Sequence, residues 1–198
     1  MDNVSDNIII SDRKRLYTAK ELRQMGASYY DIRKLVSAGK LIKLTSSVYE
    51  TAGYSGEESD FYYAYVFAPH GVICLMSAAV YYGLSTYRPD AVDIAIERDH
   101  KVSSLPEWPS MHVVTFSKDR YYTGIVPVTE GENAFRIYDI EKTVTDILFY
   151  RNKVGIEETK EILTNYLSRD SRDLVKLHRY AQKLRCAKIL RTYLEVLI

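Results

Sequence analysis

The chain has 198 residues, 46% of them hydrophobic and 27% charged, with 27 Lys and Arg against 26 Asp and Glu. A chain of this size buries roughly 70% of its unfolded surface, which excludes wholesale disorder and leaves room for one large domain or a small one joined to a medium one. The longest purely apolar runs are a handful of residues, such as Ile8 to Ile10, far short of the ~20 needed to span a bilayer. Asp2 and Asp6 stand where a signal peptide carries a basic region, so the expected compartment is the cytoplasm. Cys74 and Cys186 lie outside any CxxC pattern and predict two buried thiols or a single disulfide, not a metal site. Tyrosine is over-used, at 18 residues.

Charge is unevenly spread. Residues 1–53 carry nine Lys and Arg against six acids, 54–153 nine against fourteen, and 154–198 nine against six. Basic ends around an acidic middle point weakly to a polyanionic partner.

In chain order, Thr18-Ala19-Lys20-Glu21 is a capping box that opens a short helix over about 18–25, with Gly26 placed to end it. Ser28 to Asp31 is a second cap of the same kind. Ile32, Leu35 and Val36 follow at helical spacing until Gly39, so a second helix is predicted over about 28–38. Lys40 to Leu44 and Val48 to Thr51 are β-prone runs around a polar tip, a hairpin. Gly53-Tyr54-Ser55-Gly56, followed by Glu57, Glu58 and Asp60, is the best domain boundary. Beyond it, 57–67 reads as a helix with Phe61, Ala64, Tyr65 and Ala68 on one face, and 77–82 as a small-residue helix. Val92 to Glu97 has the alternation of a half-buried strand, and Met111 to Phe116, apolar on both faces, reads as a central strand. Hairpin strands over 124–129 and 134–138 precede a helix capped by Asp139 and running to about Arg151. Three more helices follow near 156–168, 171–184 and 186–197. The expected class is α+β: a winged helix-turn-helix over 1–53, then over 54–198 a mixed sheet domain with a helical C-terminal half.

Catalytic patterns are scarce. His70, His100, His112 and His178 are isolated, and no HExxH, GxSxG or Walker loop occurs. Gly83-Leu84-Ser85 upstream of Asp93 faintly suggests a nucleotidyltransferase, but Ala95 stands where a second strand carboxylate would share a divalent ion. No enzyme activity, metal or cofactor is expected.

The first segment points to nucleic acid. Around the second helix, Ile32, Leu35 and Val36 define a buried stripe, leaving Tyr30, Arg33, Lys34 and Ser37 opposite it with Tyr29 at the edge. A recognition helix needs this division, because its outward residues reach base edges and phosphates in the major groove. Ser28 at the N-cap would leave amides near a phosphate. Lys40, Lys43, Ser46 and Ser47 on the hairpin, and Arg13, Lys14, Arg15, Lys20 and Arg23 ahead of it, would add backbone contacts. Near the C-terminus, Arg172, Lys176, Arg179 and Lys183 recur at helical spacing, extended by Lys188 and Arg191. They form either a solvated face or a second nucleic-acid surface.

Tyr17-Thr18-Ala19-Lys20-Glu21-Leu22, the helix from Ile32 to Leu41 and the wing ending in Val48-Tyr49 resemble the N-terminal winged helix of the AbiEi antitoxins of abortive-infection phage-defence systems. The resemblance continues through Ser77-Ala78-Ala79-Val80-Tyr81-Tyr82-Gly83-Leu84 and Tyr138-Asp139-Ile140-Glu141-Lys142-Thr143-Val144-Thr145-Asp146, and covers nearly the whole chain. Ser47 departs from the glycine common before Val-Tyr in that wing. The resemblance implies an autorepressor that binds inverted-repeat, double-stranded operator DNA. It also implies opposition to a co-encoded nucleotidyltransferase toxin without a stable complex, the antitoxin effect residing in the larger domain. Asp139, Glu141, Lys142, Thr143 and Asp146 look like a signature, although Asp139 serves as a cap and Glu141 with Lys142 would then be a solvated first turn. The rival functions are a winged-helix module that holds a protein partner and, third, a nucleotidyltransferase-like enzyme.

Overall fold

Local capping chemistry sets the first elements. A computed structural model describes residues 8–54, 56, 59–87, 89–102 and 105–197. In helix α1 (Ala19–Gln24) the Glu21 amide donates to Thr18 Oγ1 at 3.1 Å while the Thr18 amide donates to Glu21 Oε2 at 2.8 Å. Ser28 and Asp31 repeat this reciprocal pair at the start of α2 (Tyr29–Ser37). Gly39, at φ 69°, lets the chain leave α2 in the left-handed conformation that L side chains disfavour. Strands β1 (Leu16–Thr18), β2 (Leu41–Lys43) and β3 (Val48–Thr51) form an antiparallel sheet in the order β1-β3-β2. The hairpin was expected; β1, which pairs Tyr17 with Tyr49 across the sequence, was not.

The remainder runs α3 (Asp60–Phe67), β4 (Val72–Ile73), α4 (Leu75–Tyr81), β5 (Val92–Glu97), β6 (Met111–Phe116), α5 (Lys118–Tyr122), β7 (Ile125–Glu130), β8 (Asn133–Tyr138), α6 (Ile140–Phe149), α7 (Arg151–Val154), α8 (Ile156–Leu167), α9 (Leu174–Lys183) and α10 (Ala187–Leu197). The fold is therefore α+β, with ten helices among the described residues. Its five-stranded sheet has the order β6-β5-β4-β8-β7, in which β5/β6 and β4/β8 are parallel and the other pairs antiparallel. One face packs on α3; the other packs on α4 and α6, with α8, α9 and α10 around α6. Gly124, ahead of β7, allows the closest approach to α6: a Cβ there would lie 2.7 Å from Lys142 Cβ.

Several expectations need correction. The strand over 111–116 is not central but an outer edge, and the two-residue β4 holds the centre. Its apolar residues face α3 on one side and the α4/α6 layer on the other, which reproduces the pattern of a central strand. All six residues of β5 are buried, Asp93 and Glu97 included, so it is not half-buried. Helix α3 buries Tyr62, Tyr63, Ala64 and Phe67, more than the single face expected; Glu57 and Glu58 at its expected start, and Ser55 at the boundary, lie outside the described residues. The helix after Asp139 ends at Phe149, and α5 had no counterpart in the sequence reading. Cys74 and Cys186 are free, buried thiols, their pKa raised by burial, to about 11 for Cys186.

The two segments share a core. Leu16 and Val48 belong to the cluster of Tyr62, Tyr63, Phe67, Ile94 and Phe135, while Tyr17, Leu22, Ile32, Leu35 and Tyr49 pack separately under α1 and α2. The Tyr62 hydroxyl donates to the Leu16 carbonyl at 3.0 Å, and the Arg15 amide donates to Asn133 Oδ1 at 3.3 Å. Truncating Leu16, which has no exposed surface, to Ala should destabilise the whole chain by ~2 to 5 kcal/mol. Far-UV circular dichroism and Trp108 fluorescence should shift together in denaturant; two separate transitions, only one of them moved, would mean that the units fold independently.

Candidate nucleic-acid interface

Helix α2 divides its residues sharply. Ile32 and Leu35 are buried and Val36 is half-buried, while Arg33, Lys34 and Ser37 are exposed and Tyr30 is 74% exposed. Tyr29, expected at the edge, is 64% exposed and joins that outer face. The Arg23 guanidinium of α1 stands 5.1 Å from the Tyr29 ring, a cation–π contact that brings the two helices' exposed groups together. Lys20, Lys40, Lys43 and the hairpin-tip residues Ser46 and Ser47 are exposed as well. Ser47 does not adopt a left-handed φ, so the turn does not require glycine there.

Other candidates are committed elsewhere. Lys14 Nζ pairs with Glu21 Oε1 at 2.7 Å, and Arg15 Nε with Glu50 Oε1 at 3.0 Å while its guanidinium covers the Tyr63 ring at 4.8 Å. Both are half-buried parts of the framework rather than outward phosphate contacts. Ser28 spends its hydroxyl and its amide on Asp31, so the free N-cap expected there is closed by a carboxylate. Arg13 is exposed, but its carbonyl meets Asn133 Nδ2 at 3.4 Å, at the junction with the second unit. The sequence reading missed Met25 and Ile42, which are 43% and 50% exposed apolar residues on the same unit; their placement inside helical and strand patterns disguised them.

The chain matches no protein-family model and no curated protein. Among solved structures it is similar to the RV2827C protein from Mycobacterium tuberculosis. The sequence identity is 16% and the TM-score 0.46, over 93% of this chain and 77% of that one. At that level neither function nor partners transfer.

The C-terminal stripe is not one uniform surface. Lys176 Nζ lies 2.9 Å from Glu141 Oε2 and 3.2 Å from Asp139 Oδ2, pinning α9 to α6. Burial is the largest influence on its ammonium and lowers the pKa, but the hydrogen bonds and charges of Glu141 and Asp139 prevail and raise it. Tyr180 adds a hydroxyl to Asp139 Oδ2 at 2.9 Å. Arg172, Arg179, Lys183, Lys188 and Arg191 remain exposed.

The segment 139–146 is no solvated first turn. Asp139 does cap α6, accepting the Lys142 amide at 2.9 Å, but Glu141 to Leu148 are all buried. Asp146 accepts hydrogen bonds from both Lys142 and Arg120, and Arg120 also donates to the Leu184 carbonyl at 3.0 Å. Lys142 Nζ stands 3.9 Å from the Tyr138 ring centre. Desolvation outweighs the attraction of Asp146 and lowers the Lys142 pKa. Lys142, Asp146 and Arg120 thus form a buried charge cluster.

The faint nucleotidyltransferase pattern is likewise built into the framework. Ser85 donates to Glu161 Oε2 at 3.0 Å, and Asp93 accepts the Met76 and Ser77 amides at 3.1 and 3.4 Å. Among the described residues, no three His, Cys, Asp or Glu side chains converge where they could hold a metal ion, and no helix is long and apolar enough to cross a membrane.

Two outcomes follow from this electrostatics. Asp146→Ala should destabilise the protein by ~3 to 5 kcal/mol because it strands two buried cations, whereas Lys142→Met should be far milder since Arg120 and Asp146 still match one for one. Chemical denaturation of the two variants checks the order.

The second outcome concerns the cap of α2. Hydrogen bonds from the Ser28 hydroxyl and amide hold the Asp31 carboxyl below its ordinary 3.8. A folded value below the unfolded one contributes stability that is fully present above pH 3.8 and is lost as pH falls through the folded value. Asp31→Asn should therefore melt below wild type at pH 7, and the gap should close as the pH is taken below 3.8. A gap independent of pH would mean that the carboxylate's charge plays no part.

Proposed function

We propose that this chain is a winged-helix repressor of its own operon, related to the AbiEi antitoxins, that reads double-stranded operator DNA with α2 and opposes a co-encoded nucleotidyltransferase toxin through residues 54–198. In this reading residues 1–53 are the DNA-binding domain and the protein works in the cytoplasm without catalysing a reaction. The observation that carries it is the outer face of α2, where Tyr29, Tyr30, Arg33, Lys34 and Ser37 all reach solvent above a buried Ile32 and Leu35. An arginine on that face can bond guanine edges bidentately, and tyrosine and serine can reach bases or phosphates. Lys20, Arg23, Lys40 and Lys43 flank it and suit backbone neutralisation. The exposed tip Ser46-Ser47, between β2 and β3, suits a wing.

A protein-binding role for the same unit is favoured by one observation: exposed Met25 and Ile42, together with Tyr29 and Tyr30, give it an apolar component that phosphate contacts do not need. Electrophoretic mobility shift with the DNA upstream of the gene separates the two. Replacing Tyr30 and Arg33 by Ala removes two exposed side chains and no core contact, so the fold should persist. Loss of one bidentate base contact should weaken operator binding by ~1 to 3 kcal/mol while binding to scrambled DNA falls less. Equal operator affinity for the double variant and wild type at matched salt would remove α2 as the reader.

A further inference from the structure

The two edges of the five-stranded sheet are treated differently. On one edge, β7 carries Pro127, which cannot donate to an added strand. On the other, β6 runs six residues, Met-His-Val-Val-Thr-Phe, without proline, lysine or bulge, and among the described residues no strand pairs with its outer side. That side is open to a cleft. Four consecutive residues, His112, Val113, Val114 and Thr115, line a cavity of about 740 Å³. Successive side chains of a strand point to opposite faces of the sheet, so a cavity that touches all four meets two of them through main-chain atoms, beside an edge whose outer groups have no strand partner among the described residues.

The main-chain groups on the outer side of β6 can be named. The Val92 amide donates to the Ser110 carbonyl at 2.8 Å and the Arg98 amide to the Phe116 carbonyl at 3.1 Å, so the even-numbered residues of β6 turn their peptide groups toward β5. Met111, Val113 and Thr115 turn theirs outward. The cleft around them is acidic: its described lining includes Asp90, Asp93 and Glu158 against Lys153. His112 Nδ1 is held 2.8 Å from Asp93 Oδ1, on a residue directly opposite in the register. Tyr87, 51% exposed, offers an aromatic face at the rim.

We propose that the outer edge of β6 takes an extended, basic segment of a partner polypeptide as a sixth strand, with its Lys or Arg side chains directed to Asp90 and Glu158. The main chain of Met111, Val113 and Thr115 supplies the ladder, and the carboxylates select the sequence. A second copy of this chain is a poorer occupant, because pairing β6 with itself about a twofold axis brings two acidic clefts together. Phosphate-bearing ligands meet the same repulsion.

The test is fluorescence anisotropy on the full-length protein with a capped, labelled octapeptide of alternating Lys and Thr. Its controls are the Glu-Thr counterpart and a Lys-Thr peptide N-methylated at every second residue, which keeps the charge and removes one row of donors. Saturable binding is expected for the first peptide alone. Thr115→Pro should weaken it about fivefold or more by removing one outward donor. Asp90→Asn with Glu158→Gln, a pair that alters no ladder group, should weaken it and flatten its salt dependence. Equal binding of the N-methylated peptide would reduce the site to charge attraction and overturn the strand-addition proposal. Absence of saturable binding at millimolar peptide would overturn it too, as would self-association of the wild type that Thr115→Pro abolishes.

Discussion

Asp146 sits between Lys142 and Arg120 with no solvent exposure, and most of the larger unit is organised by satisfying it. Arg120 arrives from α5, at the end of the strand pair β5/β6; Lys142 lies one turn earlier on α6; and the second donor arm of Arg120 holds the carbonyl of Leu184, where α9 ends. One carboxylate thus joins the sheet, the central helix and the C-terminal helices. A lone carboxylate in such surroundings would be heavily penalised, and so would either cation left without it, which makes Asp146 the member that neither cation can do without. The aromatic column of Tyr138, Phe116 and Tyr150 supplies π faces to the surplus positive charge, with Lys142 Nζ 5.0 Å from the Phe116 ring centre.

The same logic separates the basic residues of the chain into two populations. Lys14, Arg15, Arg120, Lys142 and Lys176 have carboxylate partners and hold elements together. Lys20, Arg23, Arg33, Lys40 and Lys43 lie exposed on the N-terminal unit. In the DNA-binding reading proposed above, a polyanion would be met by the second population, on a surface whose geometry the first maintains. The Lys14 to Glu21 pair shows the link most directly, since the same Glu21 carboxylate that closes the capping box of α1 also holds Lys14.

Elements written in neighbouring residues were legible in the sequence. The capping boxes at Thr18 and Ser28, the glycine after α2 and the α2 stripe all involve partners within a few positions, and each is found where expected. What was illegible depends on distant pairing. The strands β1 and β4 are three and two residues long and exist because β3, β5 and β8 accept them. The edge position of β6 was disguised because Met111 and Val113 pack on the α3 side of the sheet and Val114 and Phe116 on the other, so apolar residues occupy both faces. Glu141 and Lys176 are 35 positions apart; each alone reads as a solvated charge, and only their meeting accounts for both. For the candidate interface, periodicity identified the outward residues of α2 but not which flanking cations were already paired.

Leu16 and Val48, at the two ends of the small sheet, pack inside the core built by α3, β5 and β8. The N-terminal unit therefore has no smooth back surface of its own. Descendants of this chain could not exchange their first 53 residues as a cassette unless the incoming piece also packed against Tyr62, Tyr63 and Phe135, so under the proposed function any change of DNA preference would be confined to substitutions on the outside of α2, made one residue at a time on a fixed mount.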